Sequence, residues 1–86
     1  MPAQLRPDVV TSDTHDGLVL LDERSGRYWQ LNHTSARVLR ALLDGQDVER
    51  IAADLAARHR LDPDRARRDV AALTERLTSA KLVRTG

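Results

Sequence analysis

The sequence contains no cysteine and no phenylalanine, and its only aromatic residues are Tyr28 and Trp29. The lack of cysteine excludes disulfides, thiolate metal ligands and cysteine nucleophiles. The interior of this chain of 86 residues must be built from Leu, Val, Ile and Ala, so we expect one thin hydrophobic core. Burial in so small a core barely offsets the entropy lost on folding, and the composition therefore favours modest stability or support from a binding partner.

Neither sign of charge dominates the chain. Its 14 basic and 13 acidic residues give a formal net charge of +1, whereas a dedicated nucleic-acid-binding domain is expected to carry a strong basic excess. Nowhere does the chain have the run of about 18 apolar residues that a membrane-spanning helix needs, and residues 1–10 lack the apolar segment of a signal peptide. We expect a single soluble, cytoplasmic domain over residues 1–86, without nucleic-acid or membrane partners.

The residue types that carry catalysis do not form a recognisable site in the sequence. His15, His33 and His59 are too far apart to make a local metal motif. The four glycines each stand alone at a turn or a terminus, so no phosphate-binding loop is present. No Ser-His-Asp set stands out, and one thin core leaves little room for a sheltered cleft. We therefore expect no enzymatic activity, no metal and no other cofactor.

Short apolar runs bounded by turn residues predict three strands in the first third of the chain, at residues 9–13, 17–22 and 27–31. The Asp16-Gly17 pair predicts a tight turn between the first two strands. Residues 23–26 suit a type I turn that ends in a left-handed glycine. Connections this short force antiparallel neighbours, so we expect a three-stranded meander.

After the third strand the apolar residues recur every three to four positions, which predicts helices. Asn32 or Thr34 is the expected cap of the first helix, and Gly45 its expected end. Asp47 is the expected cap of the second helix. The pattern therefore changes from strands to helices near residue 32.

A third helix has the clearest start, because Asp62 suits the N-cap and Pro63 the first helical position. A block of strands followed by a block of helices predicts an α+β domain. The second and third helices also look like a helix-turn-helix pair. We therefore expect a winged helix-turn-helix-like fold, with a three-stranded antiparallel sheet followed by three helices and residues 82–84 as a short apolar end.

Two successive segments of the chain, residues 26–32 and 36–45, resemble segments of the PqqD-like family. Residues 26–32, Gly-Arg-Tyr-Trp-Gln-Leu-Asn, resemble the family's strand that ends in Leu-Asn. Residues 36–45, Ala-Arg-Val-Leu-Arg-Ala-Leu-Leu-Asp-Gly, resemble its following helix, which closes in Leu-Asp-Gly before a short polar residue, here Asp47. The likeness covers nearly the full length. The chain departs from the pyrroloquinoline quinone subgroup at Tyr28 and Trp29, where simpler aliphatic residues are common.

The resemblance implies a recognition element for ribosomally synthesised, post-translationally modified peptides. In such an element the leader segment of the precursor binds as an extra strand beside the third strand and against the third helix. Free-standing members of this size look like the discrete leader-binding protein of lasso peptide pathways. The partners that this implies are the precursor leader peptide, a cysteine protease that acts as leader peptidase, and an ATP-dependent cyclase.

The residues themselves point to the same surface, because each edge of a three-stranded meander offers unpaired backbone groups to an extended peptide. The third strand carries the only aromatic pair, whereas residues 11–13 of the first strand are polar. Alternation places Trp29 and Leu31 on the face toward the helices, and Arg67, Ala71 and Thr74 are expected on the flank of the third helix nearest an incoming strand. The predicted peptide-binding residues are Arg27, Tyr28, Trp29, Gln30, Leu31, Arg67, Val70, Ala71, Leu73, Thr74 and Leu77.

Three alternatives stand beside this interpretation. Trp29 serves equally well as a core anchor without any ligand contact. A winged-helix DNA-binding regulator would place Arg65, Arg67 and Arg68 in the major groove, although residues 62–80 contain four acidic residues against four arginines. A scaffold domain would use the same strand edge to associate with its own copies.

Overall fold

The strands and helices follow one another in the order that the sequence predicts, with one further strand at each end. The computed structural model describes residues 3–85, so the expected domain limits at residues 1 and 86 lie outside the described residues. The elements are β1 (Ala3–Leu5), β2 (Val9–Thr14), β3 (Gly17–Asp22), β4 (Arg27–Asn32), α1 (His33–Leu43), α2 (Val48–His59), α3 (Pro63–Ser79) and β5 (Val83–Thr85). None of the described helices is long and apolar enough to cross a membrane.

The predicted antiparallel meander is confirmed as the sheet β2–β3–β4. A two-residue turn joins β2 to β3, since Thr14 pairs with Gly17. Between β3 and β4 the N–H of Gly26 donates to the carbonyl of Asp22 over 2.8 Å, and Gly26 has a φ of 74°. The second turn therefore has the left-handed glycine that its sequence predicts.

A second, two-stranded sheet joins the two ends of the described chain, and the sequence did not predict it. β1 pairs with β5 in antiparallel register, with Leu5 opposite Val83. Val83 is 2% exposed and the adjacent Leu82 is fully buried. Three-residue strands are too short to show a period of two, and their pairing depends on residues almost the whole chain apart. The segment 82–84, expected to be a short apolar end, thus includes part of a strand.

Only aliphatic side chains are buried among those that the structure describes, as the lack of phenylalanine predicts. One face of the sheet packs against the helical layer, with α1 lying on β3 and β4. On this face Trp29 packs against the core without being buried in it. The buried residues come from every layer of the fold, with Leu18, Leu20 and Leu31 from the sheet, Ala36 and Leu39 from α1, Ile51 and Leu55 from α2, and Val70 and Leu77 from α3.

The helix starts agree with the sequence in position, although one of them lacks the expected contact. Asn32, and not Thr34, caps α1, since its side chain accepts a hydrogen bond from a backbone N–H of the first turn over 2.8 Å. Asp47 caps α2 in the same way over 2.7 Å. Asp62 occupies the N-cap of α3 but makes no side-chain capping bond. Pro63 therefore favours the start of α3 through its fixed φ alone.

Gly17 is required where β3 runs closest to the end of β4. Its φ is 150°, which side chains rarely adopt, and a Cβ atom there would collide with the carbonyl oxygen of Leu31 and the backbone of Asn32. Any larger residue would separate the two strands at the point where the chain leaves the sheet for α1.

We expect Gly17→Ala to lower the free energy of unfolding by about 3 kcal/mol, because it adds a backbone collision to conformational strain. Gly26→Ala is the matched control. Gly26 has a φ of 74° and open space where a Cβ atom would lie, so its loss should be about 1 kcal/mol. Urea denaturation followed by circular dichroism measures both values, and equal losses would contradict the packing argument.

Candidate functional site

β4 lies at one edge of the sheet. The hydrogen-bond pattern between β2 and β3 shows which backbone groups of β4 point away from the sheet. The N–H of Glu23 donates to the carbonyl of Asp8 over 2.9 Å, immediately beside the first register pair of these two strands. Hydrogen-bonded and non-hydrogen-bonded pairs alternate along an antiparallel ladder. Because successive residues of a strand bond to opposite sides, Asp22, Leu20 and Leu18 direct their backbone groups toward β4.

On β4 the residues in register with those three are Arg27, Trp29 and Leu31. The backbone N–H and C=O groups of these three residues form hydrogen bonds to β3. Those of Tyr28 and Gln30 therefore point to the open edge. Within residues 3–85 no further strand pairs with this edge. An edge of this kind is a template for another extended segment.

The side chains of β4 alternate between the two faces of the sheet as predicted. Trp29 is half-buried and Leu31 is 8% exposed, and both pack toward the helices. Tyr28 is 65% exposed and Gln30 is exposed on the other face. The side of the strand toward the helices therefore presents apolar surface next to the open edge.

A groove separates this edge of β4 from α3, and we call it the edge groove. It has a volume of about 310 Å³, and its lining is mostly apolar. Its base is formed by Leu31 and Leu77, which also belong to the core. The complete lining is Trp29, Gln30, Leu31, Leu73, Arg76, Leu77, Ser79, Ala80 and Leu82.

A second cavity lies beside the edge groove near the end of β4, and we call it the end cavity. Its volume is about 470 Å³, and it lies among the first turn of α1, the end of α2 and the middle of α3. Leu73 and Arg76 line both spaces, so the two are adjacent. The lining of the end cavity is Asn32, Thr34, Ser35, Val38, Leu55, His59, Leu61, Asp69, Ala72, Leu73 and Arg76.

The structure places four of the α3 residues that we predicted to bind the peptide away from the edge groove. Val70 is 1% exposed and lies wholly in the core. Thr74 donates its hydroxyl to the carbonyl of Val70 over 2.8 Å, Ala71 is exposed, and Arg67 reaches toward α2. None of these four residues lines the edge groove or the end cavity.

The opposite flank of α3 faces the groove, and its residues were not among those predicted from the sequence. Asp69, Ala72, Arg76 and Ala80 recur every three or four positions and line the edge groove or the end cavity. The only sequence signal that could have found them is this stripe of small and polar residues beside the buried stripe. Of the predicted helix residues, Leu73 and Leu77 do line the groove, and peptide contact by them stays a prediction.

Arg67 forms an ion pair between α3 and α2. Its Nε lies 3.1 Å from a carboxylate oxygen of Glu49, and its Nη1 lies 2.9 Å from one of Asp64. The hydrogen bond to Glu49, with the charges of both acids, holds the pKa of Arg67 above its ordinary value. Arg65 is likewise near Asp69, at 3.9 Å. Two of the three arginines that a DNA-binding regulator would place in the major groove are therefore already paired with acids.

A cation–π contact covers Trp29 at the open edge. The guanidinium carbon of Arg27 lies 5.2 Å from the centroid of the indole ring. Arg27 precedes Trp29 by two positions on the same face of β4, so its chain lies along the ring. This contact holds the ring in position at one end of the groove.

We expect Arg27→Ala to expose the indole of Trp29, because the guanidinium no longer covers it. Trp29 is the only tryptophan, so the acrylamide quenching constant of the intrinsic fluorescence reports on this ring alone. The quenching constant should rise in Arg27→Ala. It should stay unchanged in Arg24→Ala, a control in the same hairpin, and equal quenching in both variants would contradict the contact.

Comparison with known proteins gives a family and two solved structures. The model of the family described as "Coenzyme PQQ synthesis protein D (PqqD)" matches residues 17–83. A structure of "Lasso peptide synthetase B1 complexed with the leader peptide" is similar with a TM-score of 0.93 and 38% identity, covering 99% of this chain and 100% of that one. A structure of "TbiB1 in Complex with the TbiA(beta) Leader Peptide" has a TM-score of 0.84 at 24% identity over 96% of each chain, which shows a shared fold. No curated protein matches the sequence.

Proposed function

This chain belongs to the PqqD family, and we propose that it binds the leader segment of a ribosomally synthesised precursor peptide in a lasso peptide pathway. One observation carries the proposal. The open edge of β4, with the outward backbone groups of Tyr28 and Gln30, lies directly beside an apolar groove. The edge offers main-chain hydrogen bonds, and the groove offers room for the side chains of the same bound segment.

The leader binds as an antiparallel strand on β4. Its backbone pairs with the N–H and C=O groups of Tyr28 and Gln30, and its side chains alternate in direction. Those opposite Trp29 and Leu31 point toward α3 and enter the edge groove. Each large apolar side chain buried there contributes about 1.5–3 kcal/mol. A large apolar leader residue opposite Trp29 is therefore a main determinant of affinity.

Residues of the leader that precede the paired segment enter the end cavity. An antiparallel strand on β4 runs from Asn32 toward Arg27, so its N-terminal side passes the first turn of α1. There the end cavity lies beside the edge groove, and Val38, Leu55 and Leu61 line it with aliphatic surface. The two spaces together accommodate a longer segment than the six residues of β4.

The likeness to the leader-bound relative supports this ligand class. That structure is a lasso peptide synthetase B1 complexed with the leader peptide, and its 38% identity extends over 99% of this chain. The fold that forms the edge and the groove is thus common to a protein that binds a leader.

We further propose that this chain presents the bound leader to separate maturation enzymes and catalyses no step itself. Its sequence contains no cysteine, so the nucleophile of a cysteine leader peptidase belongs to a partner protein. An ATP-dependent cyclase is the second partner that we expect to receive the peptide.

Gln30→Pro tests the added strand. It removes the outward N–H of Gln30 while leaving the ladder to β3 intact, and proline is tolerated on such an edge. We expect the affinity for a synthetic leader to fall about tenfold, as measured by calorimetry, with an unchanged circular dichroism spectrum. Gln30→Ala keeps the N–H and should bind within twofold of the wild type, and unchanged affinity in Gln30→Pro would exclude this geometry.

Substitutions at two neighbouring alanines test which flank of α3 contacts the leader. Ala72 lines the end cavity and Ala71 lies on the opposite flank, and both are exposed. Because glutamine is a good helix former without charge, Ala72→Gln should partly fill the cavity and weaken leader binding about fivefold. Ala71→Gln should leave the calorimetric Kd unchanged. The reverse order of effects would show that the leader uses the other flank.

A further inference from the structure

Among the arginines of α3, Arg76 lines the edge groove. It is exposed and lines both the edge groove and the end cavity, where the other long side chains are mostly aliphatic. Among the residues that the structure describes, no carboxylate lies within 4.0 Å of its guanidinium. Arg65 and Arg67 of the same helix are both paired with acids.

The sequence also gives Arg76 no acidic partner on its own helix. The positions four residues before and after it are Ala72 and Ala80, and those three residues away are Leu73 and Ser79. Side chains three and four residues apart are the ones that meet on a helix surface. Small residues on both sides leave the guanidinium room to extend over the groove.

A strand added to β4 would take water away from this guanidinium. A charged group that loses water without gaining a partner opposes binding. A carboxylate on the incoming peptide removes that cost and forms the charge-assisted, bidentate pair to which arginine is suited. We propose that Arg76 selects leaders that carry an aspartate or glutamate at this position, an inference that rests on the proposed leader binding.

The position of Arg76 predicts where the leader carries that acid. Arg76 lines the edge groove together with Leu31 and the end cavity together with Asn32, so it stands level with the end of β4. The leader residue opposite Leu31 faces the helices and precedes by two positions the residue opposite Trp29. The recognised leader therefore has an acidic residue two positions before an apolar one.

The experiment uses a fluorescein-labelled synthetic leader of the precursor encoded beside this chain, with Kd measured by anisotropy against the intact protein. Arg76→Glu should bind this leader about tenfold more weakly than the wild type. Arg68→Glu is the matched control, since Arg68 is an exposed arginine of the same helix that does not line the groove or the end cavity. It should bind within twofold of the wild type, and circular dichroism checks that both variants fold.

A second set of peptides, in which each leader Asp or Glu is changed to Lys in turn, locates the partner. One of these peptides should bind Arg76→Glu better than it binds the wild type. Equal losses in Arg76→Glu and Arg68→Glu, or no peptide that restores binding to Arg76→Glu, would overturn the role of Arg76 and leave leader binding in place. A wild-type protein that does not bind the leader would overturn both proposals.

Discussion

The alternation of backbone hydrogen bonds along β4 is the constraint on which the rest of the site depends. Every second residue of this strand bonds to β3, and the residues between them, Tyr28 and Gln30, face outward. The same alternation turns Trp29 and Leu31 toward the helices. One strand thereby supplies both a row of backbone partners and an apolar floor, and any extended ligand on the edge must use the two together.

Stability and binding are coupled in this chain because its core is thin. Leu73 and Leu77 are buried against the sheet and also line the edge groove. The interior contains no phenylalanine, and aliphatic side chains such as Leu20 and Leu39 form the rest of the core. A bound segment that covers these leucines would extend the core by one strand, and binding of the folded state alone raises the free energy of unfolding.

Most of the fold was predictable because its signals are local. The glycine turns, the change of apolar period near residue 32 and the caps at Asn32 and Asp47 each depend on a few neighbouring residues. The pairing of β1 with β5 was not predictable, since it joins two three-residue strands from opposite ends of the chain. The capping bond expected from Asp62 is absent, although Asp62 occupies the N-cap and Pro63 the first helical position.

For the proposed site, the sequence determined that the strand with the only aromatic pair lies at an edge of the sheet, and which side chains of that strand face the helices. Helical periodicity also divided α3 into a buried stripe and two flanks. Only the tertiary structure decided which flank lies beside β4, because this depends on how α3 crosses the sheet and α2. That crossing places Arg67 against Glu49 and leaves Arg76 above the groove.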